Sequence, residues 1–174
     1  MQTNWYVITG GPSSGKTTVV ELLAKQGYRT TIEEARHYID LQNALGVSTE
    51  EAKENARVFQ ENILTLQIAL EAGLDPNETI FLDRAIPDDL AYFRYLGLEP
   101  DRRLTEASSS AHYKKVFLLD LLPLHHDYAR TEDLVAQRAI HELICDVYEA
   151  RTEPVIRVPV LSPEDRVSFI LENL

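Results

Sequence analysis

The stretch "VITGGPSSGKTTVVELLAKQG", residues 7–27, decides how the chain is read. Gly10, Gly15, Lys16 and Thr17 fit the spacing G-x-x-x-x-G-K-[ST], and each position has a chemical reason. Glycines at 10 and 15 let the backbone turn tightly, so that successive N–H groups converge on one concavity that holds an anion. From there Lys16 reaches the β- and γ-phosphates of a nucleotide, and the Thr17 hydroxyl ligates Mg²⁺. Gly11, Pro12, Ser13, Ser14 and Thr18 complete the cradle, so residues 10–18 form the expected ATP-binding loop. Upstream, Trp5-Tyr6-Val7-Ile8 is an apolar run suited to a buried strand. Downstream, Val19, Val20, Leu22 and Leu23 recur at helical spacing over residues 17–25, with Gly27 as the stop. A helix that begins at the loop sets its N-terminal dipole under the phosphates.

The 174 residues suffice for one domain, 1–174, with a core of its own. Seventeen basic against 28 acidic residues leave a net charge of −11, which argues against a nucleic-acid groove. A nucleotide is still admitted, because the loop concentrates positive potential locally. The one cysteine, Cys145, excludes an intramolecular disulfide and reads as a small buried hydrophobe. No run approaches a membrane span and the first apolar run is already a strand, so the expected location is cytoplasmic.

Strand and helix alternate along the chain, which predicts an α/β fold with a parallel sheet covered on both faces. Further strands are expected over 28–32, 79–83, 115–120 and 155–160. Helices are expected over 33–45, from 49 to about 72 behind a capping box at Ser48–Glu51, from 87 to 96, over 134–150, and after Ser162. Residues 99–113 read as a surface helix or loop, and 123–133 as a mobile connection.

The loop alone does not choose the phosphoryl chemistry. The chain has no D-x-x-G after a strand and no N-K-x-D, which counts against a signalling GTPase, and no L-S-G-G-Q-like signature of transporter ATPases. Two acidic strand ends say more: Glu33-Glu34 and Asp83-Arg84. Ligands of open α/β sheets bind at the carboxyl ends of strands, so both pairs belong near the loop. Transfer to a hydroxyl needs a group that deprotonates it, which Glu33 or Asp83 can supply. It also needs positive charge on the moving phosphoryl group, available from Arg36, Arg84 or Arg130. Asp83, after four apolar residues, is expected to order Mg²⁺ together with Thr17. Lids close over phosphates and exclude water, and a lid is expected at about 123–138, with Arg130 and Arg138 as its candidate arginines. His125 and His126 are not expected to share a metal ion.

"GGPSSGKTT", "EEARHYI", "FLDRAIPDDLAYFRYLG", "VFLLDLLP", "RTED" and "VIRVP" together resemble the predicted-ATPase (AAA-like) group of P-loop proteins. That group is related to the ribosylnicotinamide kinase domain of the bacterial NAD regulator and, more distantly, to deoxynucleoside and thymidylate kinases. The resemblance implies a P-loop NTPase fold with strand order 2-3-1-4-5. It also matches Glu33 to the place where nucleoside kinases carry their base, Asp83-Arg84 to the pair near acceptor and phosphates, and Arg130 to the lid arginine. "DRAIPDD" departs from deoxynucleoside kinases in lacking the hydroxyl residue that often follows D-R.

The leading expectation is an ATP- and Mg²⁺-dependent kinase acting on a small metabolite, with a nucleoside or nucleotide preferred. Lys16, Glu33, Asp83, Arg84 and Arg130 are its candidate catalytic residues, and Glu33, Arg36, Asp83 and Arg84 its candidate acceptor contacts. Tyr38, Phe59, Tyr92 and Phe93 are available to stack on a base. The expected partners are ATP and the acceptor, with no nucleic acid and no membrane; a homodimer is admitted. The competing expectation is a nucleotide-dependent regulatory ATPase or binding module without a small-molecule acceptor.

Overall fold

A computed structural model describes residues 2–124 and 133–174. Its elements run β1 (Trp5–Thr9), α1 (Lys16–Lys25), β2 (Arg29–Thr30), α2 (Glu34–Ala44), α3 (Thr49–Lys53), α4 (Ala56–Ala72) and β3 (Ile80–Asp83). They continue with α5 (Ile86–Tyr95), α6 (Arg102–Ser110), β4 (Lys115–Leu119), α7 (Leu134–Glu149), β5 (Val155–Val158) and α8 (Pro163–Glu172). The strands are parallel in the order β2-β3-β1-β4-β5, as the sequence resemblance implied.

β1 is apolar along its whole length because both of its faces are covered. Trp5 and Val7 pack with Leu82, with Ala91 of α5 and with Ile144 of α7. Tyr6 and Ile8 point the other way, onto Val19 and Leu23 of α1 and Val167 and Ile170 of α8. Each such side chain contributes roughly 1.5–3 kcal/mol on burial. Cys145 lies buried in the first of these layers as a free thiol.

Two expectations are corrected in detail. The helix expected over 49–72 is two helices. Ser48 and Glu51 form their capping box, but Asn55 then accepts from the Val58 N–H at 3.1 Å and starts a new helix. The second strand is also shorter than 28–32. Backbone pairing runs one residue past it, through Thr31 N–H to Phe81 O at 3.0 Å. Beyond that, the Thr31 hydroxyl takes over and accepts from Asp83 N–H at 3.0 Å. Residues 102–110 are a helix, capped by Asp101. No helix among the described residues is long and apolar enough to cross a membrane.

Register sets what meets at the carboxyl ends. Ile8 lies opposite Asp83, so the turn after Thr9 leaves the sheet beside Asp83-Arg84. Thr30 lies opposite Phe81, which brings the chain to Glu33 on the other side of the same pair. β1 has β3 on one side and β4 on the other, so the loop that follows it sits where the winding changes direction.

Candidate active site

The loop between β1 and α1 holds its shape through positive φ angles at Gly10 (141°), Ser13 (57°) and Gly15 (85°). A Cβ on Gly10 would stand 2.6 Å from the Leu119 carbonyl oxygen, so that position is closed to other residues. Lys16 is only 1% exposed, and its Nζ donates to Gly10 O (3.0 Å), Gly11 O (2.9 Å) and the Ser14 hydroxyl (3.3 Å). The outer side of the loop is held from distant parts of the chain. Arg166 of α8, fully buried, donates to Ser14 O, to Asp120 O at 3.0 Å and to Pro159 O at 2.9 Å. Gln137 of α7 donates to Pro12 O at 3.0 Å and Leu122 O at 3.1 Å, and His141 Nδ1 accepts from Gly11 N–H at 3.1 Å.

Beside the loop, the Thr17 hydroxyl donates to Asp83 Oδ2 at 3.3 Å, while Asp83 Oδ1 is buried with no hydrogen-bond partner among the described residues. Burial first, and the charge of Glu33 second, push the Asp83 carboxyl up to about 7, against the pull of Lys16, Arg84 and Thr17.

Arg84 carries a left-handed backbone, φ 68°, a conformation that costs a non-glycine residue about 1–2 kcal/mol. Its surroundings hold it there. Nε donates to Glu33 Oε1 at 2.8 Å, one terminal nitrogen to Asp88 Oδ1 at 3.0 Å and Gly10 O at 3.3 Å, and the other to the Tyr92 hydroxyl at 3.1 Å. In this position the guanidinium reaches the loop at Gly10 O and holds Glu33 beside it.

The two aspartates at the start of α5 differ. Asp88 accepts from Thr9, Arg84, the Ala85 N–H and Tyr148, at 2.6–3.1 Å, and is fully satisfied. Asp89, only 5% exposed, keeps Oδ2 without a hydrogen-bond partner among the described residues. Burial, with Asp88 and Glu71 nearby, pushes its carboxyl well above the usual carboxylate range. Behind it Glu71, also raised by burial, accepts from Gln67, Ile86 N–H and Tyr113.

A cavity of about 210 Å³ lies between α2, α4 and α5. It falls below the roughly 300–1,000 Å³ of drug-sized pockets, a scale for a small metabolite. Pro12 of the loop, Glu33, Arg36, Phe59, Asp89 and Tyr92 are among its walls.

The structure thus gathers Gly10 to Thr17, Glu33, Asp83 and Arg84 at one sheet end and sets Arg36 in the cavity wall. Thr18 follows on α1 with an exposed side chain. Phe59 and Tyr92 face the cavity, but Phe93 is buried in the core beside Leu64 and Leu104 and cannot stack on a ligand. Tyr38 packs edge-on against Phe59. Arg138 is exposed on α7. Arg130, with His125, His126 and most of the expected lid, lies outside the described residues. Sequence reasoning missed Asp88, Asp89, Gln137, His141 and Arg166. The adjacent acids after D-R were a visible signal for the first two; the others act over 125 residues or more and leave no local trace.

Fold and loop together define the class of P-loop phosphotransferases and ATPases. Residues 5–166 match the family described as AAA domain, and the chain belongs to that family. Among solved structures it resembles deoxyadenosine kinase from M. mycoides with products dCMP and a flexible dCDP bound: TM-score 0.70, 15% identity, 97% of both chains covered. It also resembles the NadR protein in complex with NR, at TM-score 0.70 and 17% identity over 98% of this chain and 49% of that one. A further NadR complex, with NAD and AMP-PNP, gives TM-score 0.65 at 18% identity, again covering 98% and 49%. The chain therefore spans about half the length of NadR. No curated protein matches it by sequence. These likenesses establish the P-loop kinase fold.

Proposed function

We propose that the protein transfers the γ-phosphoryl group of ATP, with Mg²⁺, to a hydroxyl of a small metabolite, a nucleoside or nucleotide by preference. The observation that carries this reading is Glu33, fixed by Arg84 at the wall of a small cavity that also reaches the phosphate loop. A switch or motor needs no such chamber beside its nucleotide.

In this reading the loop N–H groups and Lys16 bind the triphosphate, Lys16 exchanging its carbonyl partners for phosphate oxygens. Glu33 takes the proton as the acceptor oxygen bonds to the γ-phosphorus and the bond to the β-phosphate oxygen breaks. Arg84 and Lys16, with Arg130 from the segment outside the described residues, carry the charge that spreads over the transferring group. Mg²⁺ fits Thr17 and Asp83: a hydroxyl stands beside a carboxylate with one buried oxygen that has no hydrogen-bond partner among the described residues. Held there, it would supply the positive charge that triphosphate chemistry needs. Arg36 and Asp89 contact the acceptor, with Asp89 Oδ2 meeting a polar group at its far end, and Phe59 and Tyr92 offer ring faces. The deoxyadenosine kinase and NadR likenesses support a nucleoside-like acceptor.

The test is ADP release from Mg·ATP by the purified protein, alone and against a panel of nucleosides, nucleotides and other phosphorylatable metabolites. Strong stimulation by one compound, with its phosphorylated form seen by mass spectrometry, is the expected result. Slow turnover that no acceptor changes would assign the site to a regulatory ATPase instead.

A further inference from the structure

The phosphate loop is braced by a helix that follows it by more than a hundred residues. On one side chain turn of α7, Gln137 and His141 present their polar atoms to the same short stretch, Gly11-Pro12. Gln137 is 2% exposed and uses its amide N–H groups on Pro12 O and Leu122 O. His141 lies against Gly11 so closely that a Cβ on Gly11 would stand 2.8 Å from the histidine Cβ. The polarity of the His141 contact is set by chemistry. A backbone N–H can only donate, so Nδ1 must be bare, and the ring is neutral with its proton on Nε2.

We propose that Gln137 and His141 are positioning residues that hold the phosphate loop in its ATP-binding shape, and that His141 does so only as the neutral imidazole. The inference rests on the reading that the loop binds ATP. Protonated at Nδ1, the ring would set one N–H against another, and the Gly11 bond would be lost. Gly11 and Pro12 would then keep only the bonds their carbonyl oxygens accept from Lys16 and Gln137, with the Gly11 N–H released, and the loop N–H groups would converge less well on the phosphates.

The charged groups around the ring are Lys16 from α1, Asp120 after β4, Arg157 from β5 and Glu142 on α7 itself. Burial, helped by Arg157 and Lys16 and opposed by Asp120 and Glu142, holds His141 below the ordinary histidine value. The sign follows: the neutral form is complete at pH above the ordinary value, about 6.5, and is lost as pH falls through a lower one. A protein with this device keeps its grip on ATP at neutral pH and loosens it in acid.

The experiment is ATP affinity by titration calorimetry at fixed Mg²⁺, from about pH 8 to about pH 5.5, with thermal unfolding followed at each pH. Wild type is compared with His141→Leu, His141→Asn and Gln137→Met. At pH 8, His141→Leu should weaken ATP about tenfold, and Gln137→Met by a similar factor at every pH. The Asn amide oxygen can accept from Gly11 N–H and does not titrate, so His141→Asn should recover most of the loss. Its affinity should stay level towards acid, where that of wild type falls by up to about tenfold as His141 takes up its proton. Wild-type and His141→Asn profiles that run parallel would overturn the proton-dependent role even if the leucine variant fails to fold. Wild-type affinity in all three variants would overturn the brace as a whole. No ATP binding by the wild type at any pH would remove the nucleotide reading, and this inference with it.

Discussion

Around the phosphate loop, Lys16, Gln137 and Arg166 turn their donors onto the loop's own oxygens; Asp83 beside the loop and Asp89 in the cavity wall each bury a carboxylate oxygen with no hydrogen-bond partner among the described residues. The donor side is organised by the chain's own contacts. The acidic side holds buried acids whose ordinary charged state the fold disfavours. Such a side is costly to the empty protein and becomes favourable only when a ligand or ion meets it. The contrast separates a part that any triphosphate chemistry can use from a part shaped for one partner.

The contrast can be broken most directly at Lys16. Lys16→Ala removes the donor that bridges Gly10 O, Gly11 O and the Ser14 hydroxyl, and acceptor-stimulated ADP release should fall by about 10³-fold with ATP affinity falling as well. A loss confined to the acceptor KM would show that the two sides are not separable in this way. Next comes Glu33→Gln, which keeps the shape but removes the base. Transfer should drop by about 10²-fold or more while ATP affinity, measured by calorimetry, stays within about threefold. Unchanged transfer would move the base to Asp83 or Glu34.

Asp89→Asn sharpens the comparison on the acceptor side. Asp89 lines the cavity and makes none of the bonds that hold the loop, so steady-state kinetics should show the acceptor KM raised by about tenfold with the ATP KM unchanged. The smallest effect is on stability. Asp83, Asp89 and Glu71 all have folded-state carboxyls raised by burial, so the folded protein keeps protons that the unfolded chain has released. Stability of the empty protein should therefore decline as pH rises from the ordinary carboxylate range towards about 7, where Asp83 ionises, rather than improve. Asp89→Asn should flatten that decline and melt about 3 °C higher than wild type at about pH 8, read by circular dichroism. A wild type that gains stability over the same interval would show that these acids are not a burden to the fold.

Much of this site was legible in the chain. Gly10 to Thr17 announced itself because phosphate binding by backbone N–H groups requires glycine, lysine and hydroxyl at set intervals within one turn. Glu33 and Asp83-Arg84 could be read because acids that end apolar runs fall at the carboxyl edge of a sheet. Within the long apolar pattern of residues 49–72, the break at Asn55 went unread, since a side-chain cap interrupts a helix without disturbing its periodicity. The aromatic set divided only in three dimensions, Tyr92 facing the cavity and Phe93 the core one position along α5.

By itself, then, the sequence determined the alternating fold, the phosphate loop and the acids at the strand ends, all properties of spacing along a few residues. Only the tertiary structure decided that Asp88 has both carboxylate oxygens taken up by partners within the fold while Asp89 keeps one without a hydrogen-bond partner among the described residues. It alone brought Gln137, His141 and Arg166 onto the loop. Those assignments depend on partners from Thr9 to Tyr148 and from Pro12 to Arg166, and a contact across so much chain is made by packing, with no pattern in the local sequence to record it.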